Sequence, residues 1–345
     1  MTLKFKIENH TIGDGNPCFV IAEIGSNHNN NYEQALKLID AAAEAGVDAV
    51  KFQTFKVSSH YSKKAPSFDY LDGVSTYDLI RSLEINRDWH QPLKEYSENS
   101  GLVFLSSPCD NDAIAELDRL EIGAFKLASF DLPDLRLIQK MAETGRPLIF
   151  STGMANWMDI QQAVDTARDT GNNKIALLQC TSLYPAPIEL SNLRAMKTMK
   201  EAFGVLTGYS DHTMGEHVCL AAVANGASII EKHLTLDRNM TGPDHKFAIE
   251  PQELKQLMQR LRDVESAFGD GIKNGPQNEE REMYEKGRRS LHAATTIRKG
   301  QVIEKSDLVV KRPGLGVPPY LIEQVIGRIA KYDIEEDNWI TWDMI

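Results

Sequence analysis

Two histidines each close a mostly apolar run: GVLTGYSDH ends in His212 and SIIEKH ends in His233. Imidazole is the commonest metal-binding side chain, and adjacent strands of a sheet lie about 5 Å apart, so both rings could reach one ion. Taken singly, each histidine reads more simply as a hydrogen-bonded residue near a sheet edge, and it is the pair that points to a metal. Two imidazoles completed by water and carboxylate oxygen suit a divalent ion, Mn2+ first with Mg2+ or Co2+ as alternatives, better than a closed structural zinc site.

Two lysines interrupt apolar runs, Lys51 in DAVKFQTF and Lys126 in AFKLAS. A buried ammonium is costly unless it meets an opposite charge, either a structural Glu or Asp or a bound anion. Ser129 and Ser151 follow at the ends of such runs, and Ser151 opens STGM, a hydroxyl and a glycine expected just before a helix. Exposed N–H groups at such a start favour phosphate, although an ordinary turn and N-cap has the same composition. Together these groups describe a site for a phosphate and a carboxylate.

Glu23, in AEIGSNHN, is a carboxylate that could hold a metal-bound water, move a proton or pair with a lysine. Gln53 lies two residues beyond Lys51 and so shares its face of a strand, while Asp244 stands in GPDH; either could bind substrate hydroxyls. Asn27, Asp131, Ser182 and Tyr184 occupy comparable positions, where polar residues are often simply solvated. His28 and His245 are assigned to the surface or to a supporting layer.

What must position these residues is a repeated alternation of short apolar runs with amphipathic stretches over 18–268. The runs CFVIAEI, DAVKFQTF, LVFLSSP, AFKLAS, PLIFSTG, IALLQC, GVLTGYS and SIIEKHLT number about eight, which predicts an α/β fold, a (β/α)8 TIM barrel with its functional groups at the C-terminal strand ends. YEQALKLIDAAAEAGV reads as a helix stopping at Gly46, and PQELKQLMQRLRDVESAFG as one starting at Pro251. A Gly-, Lys- and Asn-rich stretch from 269 then breaks the pattern. The expected division is a barrel over 1–275, a linker over 276–288 and a small β-containing domain over 289–345. The stretch 61–88, with KKAPSFDYLDG, is longer than a barrel connection requires and could cover a site.

The composition excludes several function classes. A net charge of −11 repels a phosphate backbone, so no nucleic acid partner is expected. No apolar run approaches the roughly 20 residues that cross a bilayer, so no membrane partner is expected either. The N-terminal stretch lacks the apolar core of a signal peptide, and Cys18, Cys109, Cys180 and Cys219 form no CxxC pair, which together fit a cytoplasmic protein with reduced thiols.

The ordered set AEIGSNHN, VKFQTF, FKLAS, STGM, CTSLYP, YSDHT, EKHLT, MTGPDHK and KRPGLG resembles the sialic acid synthase family along essentially the whole chain. The resemblance implies condensation of phosphoenolpyruvate with N-acetylmannosamine or a related N-acyl hexosamine, giving a nonulosonic acid and phosphate. It implies that His212 and His233 bind the metal and that Glu23 holds its water. Lys51, Lys126, Ser129, Ser151, Ser182 and Ser210 would bind phosphoenolpyruvate, with Gln53, Asp131, Tyr184 and Asp244 facing the sugar. The tail resembles the family's antifreeze-like (SAF) domain, which implies a domain-swapped homodimer whose Arg312 reaches the sugar's N-acyl group in the other subunit. Asp131 stands where many members have Glu, Ser182 where some have Asn, and Leu315 where RPGNG is common, so the sugar is left open between neuraminate, legionaminate and pseudaminate types. Two further readings compete: a Schiff-base aldolase using Lys126 or Lys51, and a non-catalytic sugar-binding barrel.

Overall fold

A computed structural model describes residues 3–67 and 75–345. The chain opens with a hairpin that its sequence did not announce, β1 (Lys4–Ile7) paired antiparallel with β2 (His10–Gly13). Eight parallel strands follow: β3 (Phe19–Gly25), β4 (Ala49–Thr54), β5 (Val103–Pro108), β6 (Phe125–Leu127), β7 (Leu148–Ser151), β8 (Ile175–Cys180), β9 (Leu206–Asp211) and β10 (Ile229–His233). They close into a barrel in chain order, with β10 returning to β3. Nearly every strand position is buried, as expected where helices cover the outside and side chains fill the inside.

Alternation along each strand divides the core into two layers. Val20, Ala22, Val50, Phe52, Phe104, Phe125, Phe150 and Ile230 point outward and pack under the helices. Phe19, Ile21, Ala49, Val103, Leu105, Ile149, Ala176, Leu178, Leu206 and Ile229 point inward and fill the lower half of the barrel, where Ile7 and Ile12 of the hairpin join them as a plug. Counting on by two from these inner residues gives Glu23, Lys51, Gln53, Ser107, Ser151, Ser210, His212, Glu231 and His233. The lower layers are therefore apolar and the upper layers polar. Gly208 of β9 is needed because a Cβ there would lie 2.2 Å from the Ile229 carbonyl oxygen.

The helices take the caps their sequences carry. Tyr32–Ala45 is capped by Asn31 and ends at Gly46, whose φ of 79° a side chain would oppose. Pro251–Ser266 begins with a Glu250/Glu253 capping box and a proline in its first turn. Part of KKAPSFDYLDG, expected as a cover, lies outside the described residues; after it, a helix over Thr76–Ser82 is capped by Ser75. All four cysteines are unpaired, three of them buried. Among the described residues no helix is long and apolar enough to cross a membrane.

The chain divides into two compact units, Met1–Phe268 and Gly269–Ile345. The second has its own core, with Leu291, Ile297, Ile303, Val317, Ile334 and Ile340 packed around the antiparallel pair β11 (Ser290–Ala293) and β12 (Leu308–Lys311).

Candidate functional site

The upper layer of the barrel begins with a ladder of four buried charges. Lys51 Nζ lies 2.7 Å from Glu23 Oε2 and 3.8 Å from Glu231 Oε2, and Lys126 Nζ lies 3.6 Å from Glu231 Oε1. Hydroxyls and an amide complete it: Lys51 donates to Ser107 Oγ at 3.2 Å, Lys126 to Ser151 Oγ at 2.7 Å, Ser210 to Glu231 Oε1 at 3.2 Å and Gln53 to Glu23 Oε1 at 2.7 Å. The lysines thus meet carboxylates, and the structural ion pair that composition left open is present. A bound anion would add to these pairs rather than replace a missing partner.

The four groups do not titrate alike. Burial lifts Glu23 above the usual carboxylate range, and although Lys51 pulls against it, the charge of Glu231 adds to the rise. Burial works against the Lys51 ammonium too, but Glu23 and Glu231 outweigh it and hold the lysine above its ordinary value. Lys126 falls below its ordinary value, because burial is offset only in part by Glu231 and is reinforced by Lys51. Burial also raises Glu231, yet Lys126 and Lys51 together bring it below the usual range. Of the two carboxylates, Glu23 is accordingly the readier to take a proton.

Two residues beyond Ser151, the partner of Lys126, the chain packs closely around Gly153. A Cβ on that residue would lie 2.3 Å from Ser182 Oγ, 3.0 Å from Ser129 Oγ and 3.4 Å from Cys180 Sγ. The Gly153 N–H donates to Ser129 Oγ at 3.0 Å, and Ser182 Oγ, shut off from water, makes no hydrogen bond among the described residues. A buried hydroxyl without a partner is uncommon, and one packed against the Gly153 turn beside Ser129 suits an anion's oxygen. The helix expected after STGM is present, beginning at Trp157 under an Asn156/Asp159 capping box, and Met154 takes a positive φ of 64° in the loop before it. The anion groups are therefore side chains and the Gly153 turn, not a helix N-terminus.

Above the ladder stand the two histidines. Their ring centroids are 5.3 Å apart, both are buried, and His233 is the register partner of Glu23 across the β10–β3 seam. His212 Nδ1 faces the Thr181 carbonyl oxygen at 2.9 Å, which places its proton there and leaves Nε2 as a lone-pair donor. His233 Nδ1 makes no hydrogen bond among the described residues and lies 3.6 Å from Asp244 Oδ2. Burial and the neighbouring His212, Lys51, Lys232 and Lys126 charges push His233 well below its ordinary value, keeping it neutral as a metal ligand must be. Among the described residues no three His, Cys, Asp or Glu side chains form a ready-made metal cage. The two imidazoles beside Asp244 instead fit an open site whose other positions water and substrate would fill.

The remaining candidates are distributed unevenly. Asp244 accepts from Ser26 Oγ at 3.0 Å, and burial raises its pKa. The Tyr184 ring lies 4.4 Å from that of His212 at the rim. Asp131 sits in the turn after β6 with Cys109 Sγ donating to it at 3.9 Å. Arg312 belongs to the second unit, where it is exposed and donates to the Gly287 carbonyl oxygen at 2.6 Å. Asn27 donates to the Leu234 carbonyl oxygen, a structural role. Of the two readings given for His28 and His245, surface or supporting layer, the surface one fails, for both are buried: His28 packs beside Phe52 and Trp89, and His245 is held by Thr235 and Asn29.

Sequence reasoning missed Glu231, Ser107 and Phe247. Glu231 was legible, standing two residues before His233 on the same face of a strand, and Ser107 sits at the strand end LVFLSSP under the same rule. Phe247 packs 4.9 Å from the His233 ring and 6.0 Å from His212. It lies in a single 3-10 turn, His245–Phe247, too short for a periodicity to signal it.

Residues 38–273 match the NeuB family and residues 288–345 match the SAF domain. The chain is 40% identical over 328 residues to the N,N'-diacetyllegionaminic acid synthase of Campylobacter jejuni, covering 93% of this chain and 98% of that one. It also resembles the crystal structure of the spore coat polysaccharide biosynthesis protein SpsE of Bacillus subtilis, with a TM-score of 0.69, 38% identity and 99% of each chain covered. A third relative is the N-acetylneuraminic acid synthetase of Leptospira borgpetersenii, solved with citrate, with a TM-score of 0.73 and 33% identity over 82% of this chain and 95% of that one.

Proposed function

The chain belongs to the NeuB family, and on that premise we propose that it joins phosphoenolpyruvate to an N-acyl hexosamine, giving a nonulosonic acid and phosphate. The observation that carries this reading is the anion cradle: Lys126 bonded to Ser151, with the hydroxyls of Ser129 and the unpartnered Ser182 around Gly153, and Lys51 joined to Lys126 through the shared Glu231. In a chain of net charge −11 such a concentration of inward donors is suited to one small, highly anionic substrate.

In the proposed reaction the methylene carbon of phosphoenolpyruvate bonds to the aldehyde carbon of the open-chain sugar. Water adds to the former enol carbon, and phosphate leaves with the bridging oxygen by C–O cleavage. Lys51 and Lys126 hold the carboxylate and phosphate and stabilise charge on them by preorganised electrostatics. Glu23, lifted by burial, takes the proton of the adding water. Gln53, Asp131, Tyr184 and Asp244 line the acceptor side, and Ser210 fixes Glu231. His212 and His233 would hold a divalent cation, Mn2+ before Mg2+ or Co2+, which when bound supplies Lewis acidity at the aldehyde oxygen. We place the protein in the cytoplasm as a homodimer, with Arg312 of each chain serving the other's barrel.

The acceptor is N-acetylmannosamine or, favoured by the identity to the legionaminic acid synthase, a di-N-acetylated deoxyhexose. Phosphate release from phosphoenolpyruvate is the test, run with N-acetylmannosamine, its phosphate ester and di-N-acetylated deoxyhexoses, each with and without chelator. Release with one acceptor and its loss on chelation are expected. A borohydride-stable adduct at Lys126 or Lys51 would instead establish the aldolase, and no release with any acceptor would leave a sugar-binding barrel.

A further inference from the structure

Asp211 and Lys232 immediately precede the two histidines in sequence and are register partners in the β9–β10 ladder. Because side chains alternate, His212 and His233 face into the barrel while this pair faces the helix layer. Lys232 Nζ lies 2.6 Å from Asp211 Oδ2, with the two residues 2% and 1% exposed. The lysine also donates to the Thr213 carbonyl oxygen at 2.8 Å, and Asp211 Oδ1 accepts from the Thr213 N–H at 2.8 Å. Cys219, from the helix His217–Ala224, donates to Asp211 Oδ2 at 3.1 Å.

These bonds bracket both imidazoles. His212 is the middle residue of Asp211-His212-Thr213, and both of its neighbours are tied to the single Lys232 ammonium. His233 follows that lysine directly, its carbonyl oxygen accepts from the Ile249 N–H at 2.8 Å, and the Leu234 N–H donates to the Glu23 carbonyl oxygen at 2.8 Å. A buried ion pair adds little net stability over an apolar pair of the same shape, so its physical effect lies in fixing geometry. Here the geometry fixed is the spacing of two strand ends that each present one imidazole.

We propose that Asp211 and Lys232 are positioning residues that set the separation and direction of the His212 and His233 rings for one divalent cation. The inference rests on reading those histidines as metal ligands. Groups behind metal ligands characteristically change affinity by about 10- to 100-fold when removed.

The test is Mn2+ binding to metal-stripped full-length protein, followed by calorimetry or by the loss of the free-ion electron paramagnetic resonance signal, alongside thermal unfolding without metal. The double variant D211N/K232M keeps shape, removes both charges and leaves an acceptor for the Thr213 N–H. It is expected to unfold within a few degrees of the parent and to bind Mn2+ about 10-fold more weakly. The isosteric D211N alone, which leaves Lys232 without its counter-charge, gives a second reading of the same affinity should the double variant not fold. Either variant folding and binding Mn2+ with parental affinity would overturn the proposal. Absence of Mn2+ binding by the parent protein would remove the ligand reading and this one with it, whereas parental binding with unaffected variants would remove this one alone.

Discussion

Lys51 Nζ and Glu23 Oε2 approach to 2.7 Å inside the barrel, both almost completely buried, on adjacent strands that each end at the mouth. The pair sets up a direct conflict between stability and chemistry, because the groups that hold each other are those proposed to bind substrate and move a proton. Lys51→Met would leave the buried Glu23 carboxylate without its counter-charge, at a cost of about 4 kcal/mol in denaturant unfolding. Adding Glu23→Gln should restore most of that stability while turnover stays absent. Recovery of turnover in the double variant would show that neither charge takes part in the reaction.

Gly153 provides a cleaner separation. Its φ is unexceptional and its importance is space, since an added Cβ would meet Ser182 Oγ at 2.3 Å. Gly153→Ala should therefore displace the hydroxyls of the anion cradle with little effect on folding, lowering kcat/KM for phosphoenolpyruvate by about 100-fold. The KM for the sugar should move far less. Equal effects on both substrates would place the cradle elsewhere.

The fold was open to reading because the barrel repeats one simple signal eight times, and each strand such as Ile175–Cys180 is a short apolar run bounded by turn residues. The inward ladder followed from the same alternation once a register was assumed, and Glu231 would have followed with it. The β1–β2 hairpin was less visible: Ile7 and Ile12 plug the barrel, but KFKI and HTIG are too short and too polar to stand out. The anion cradle depended on a turn. STGM predicts that a helix follows, and one does after the Asn156 cap, but composition does not show that the intervening loop brings Gly153 against Ser129 and Ser182. Contacts made by loops, such as Phe247 against His233, carry no periodic trace in the chain.

The proposed service of Arg312 to a partner's barrel can be tested by mixing inactive chains. H212A lacks a metal ligand and R312A lacks the arginine, so each homodimer should be inactive. In a swapped dimer the R312A barrel receives an intact Arg312 from the H212A chain, and random reassortment should restore about a quarter of parental activity. Equal amounts of the two chains, denatured together and refolded, make the comparison. No recovery on mixing would assign Arg312 to its own chain, and an active R312A homodimer would assign it to no site.

His28 gives the acid stability of the barrel a defined component. Its ring is buried beside Phe52 and Trp89, its Nδ1 accepts from the Asn30 N–H at 3.0 Å, and burial lowers its pKa from 6.5 to about 4. Between those values the unfolded chain binds a proton that the folded chain refuses, so stability rises with pH across the window and is lost as pH falls from 6.5 to about 4. The loss attributable to this one residue is about 3 kcal/mol. His28→Gln, neutral at every pH, should lose less stability than the parent by that amount over the same interval, measured by urea unfolding at matched ionic strength. Parallel pH profiles for the two proteins would mean that the folded barrel admits the proton and that the burial of His28 does not govern its charge.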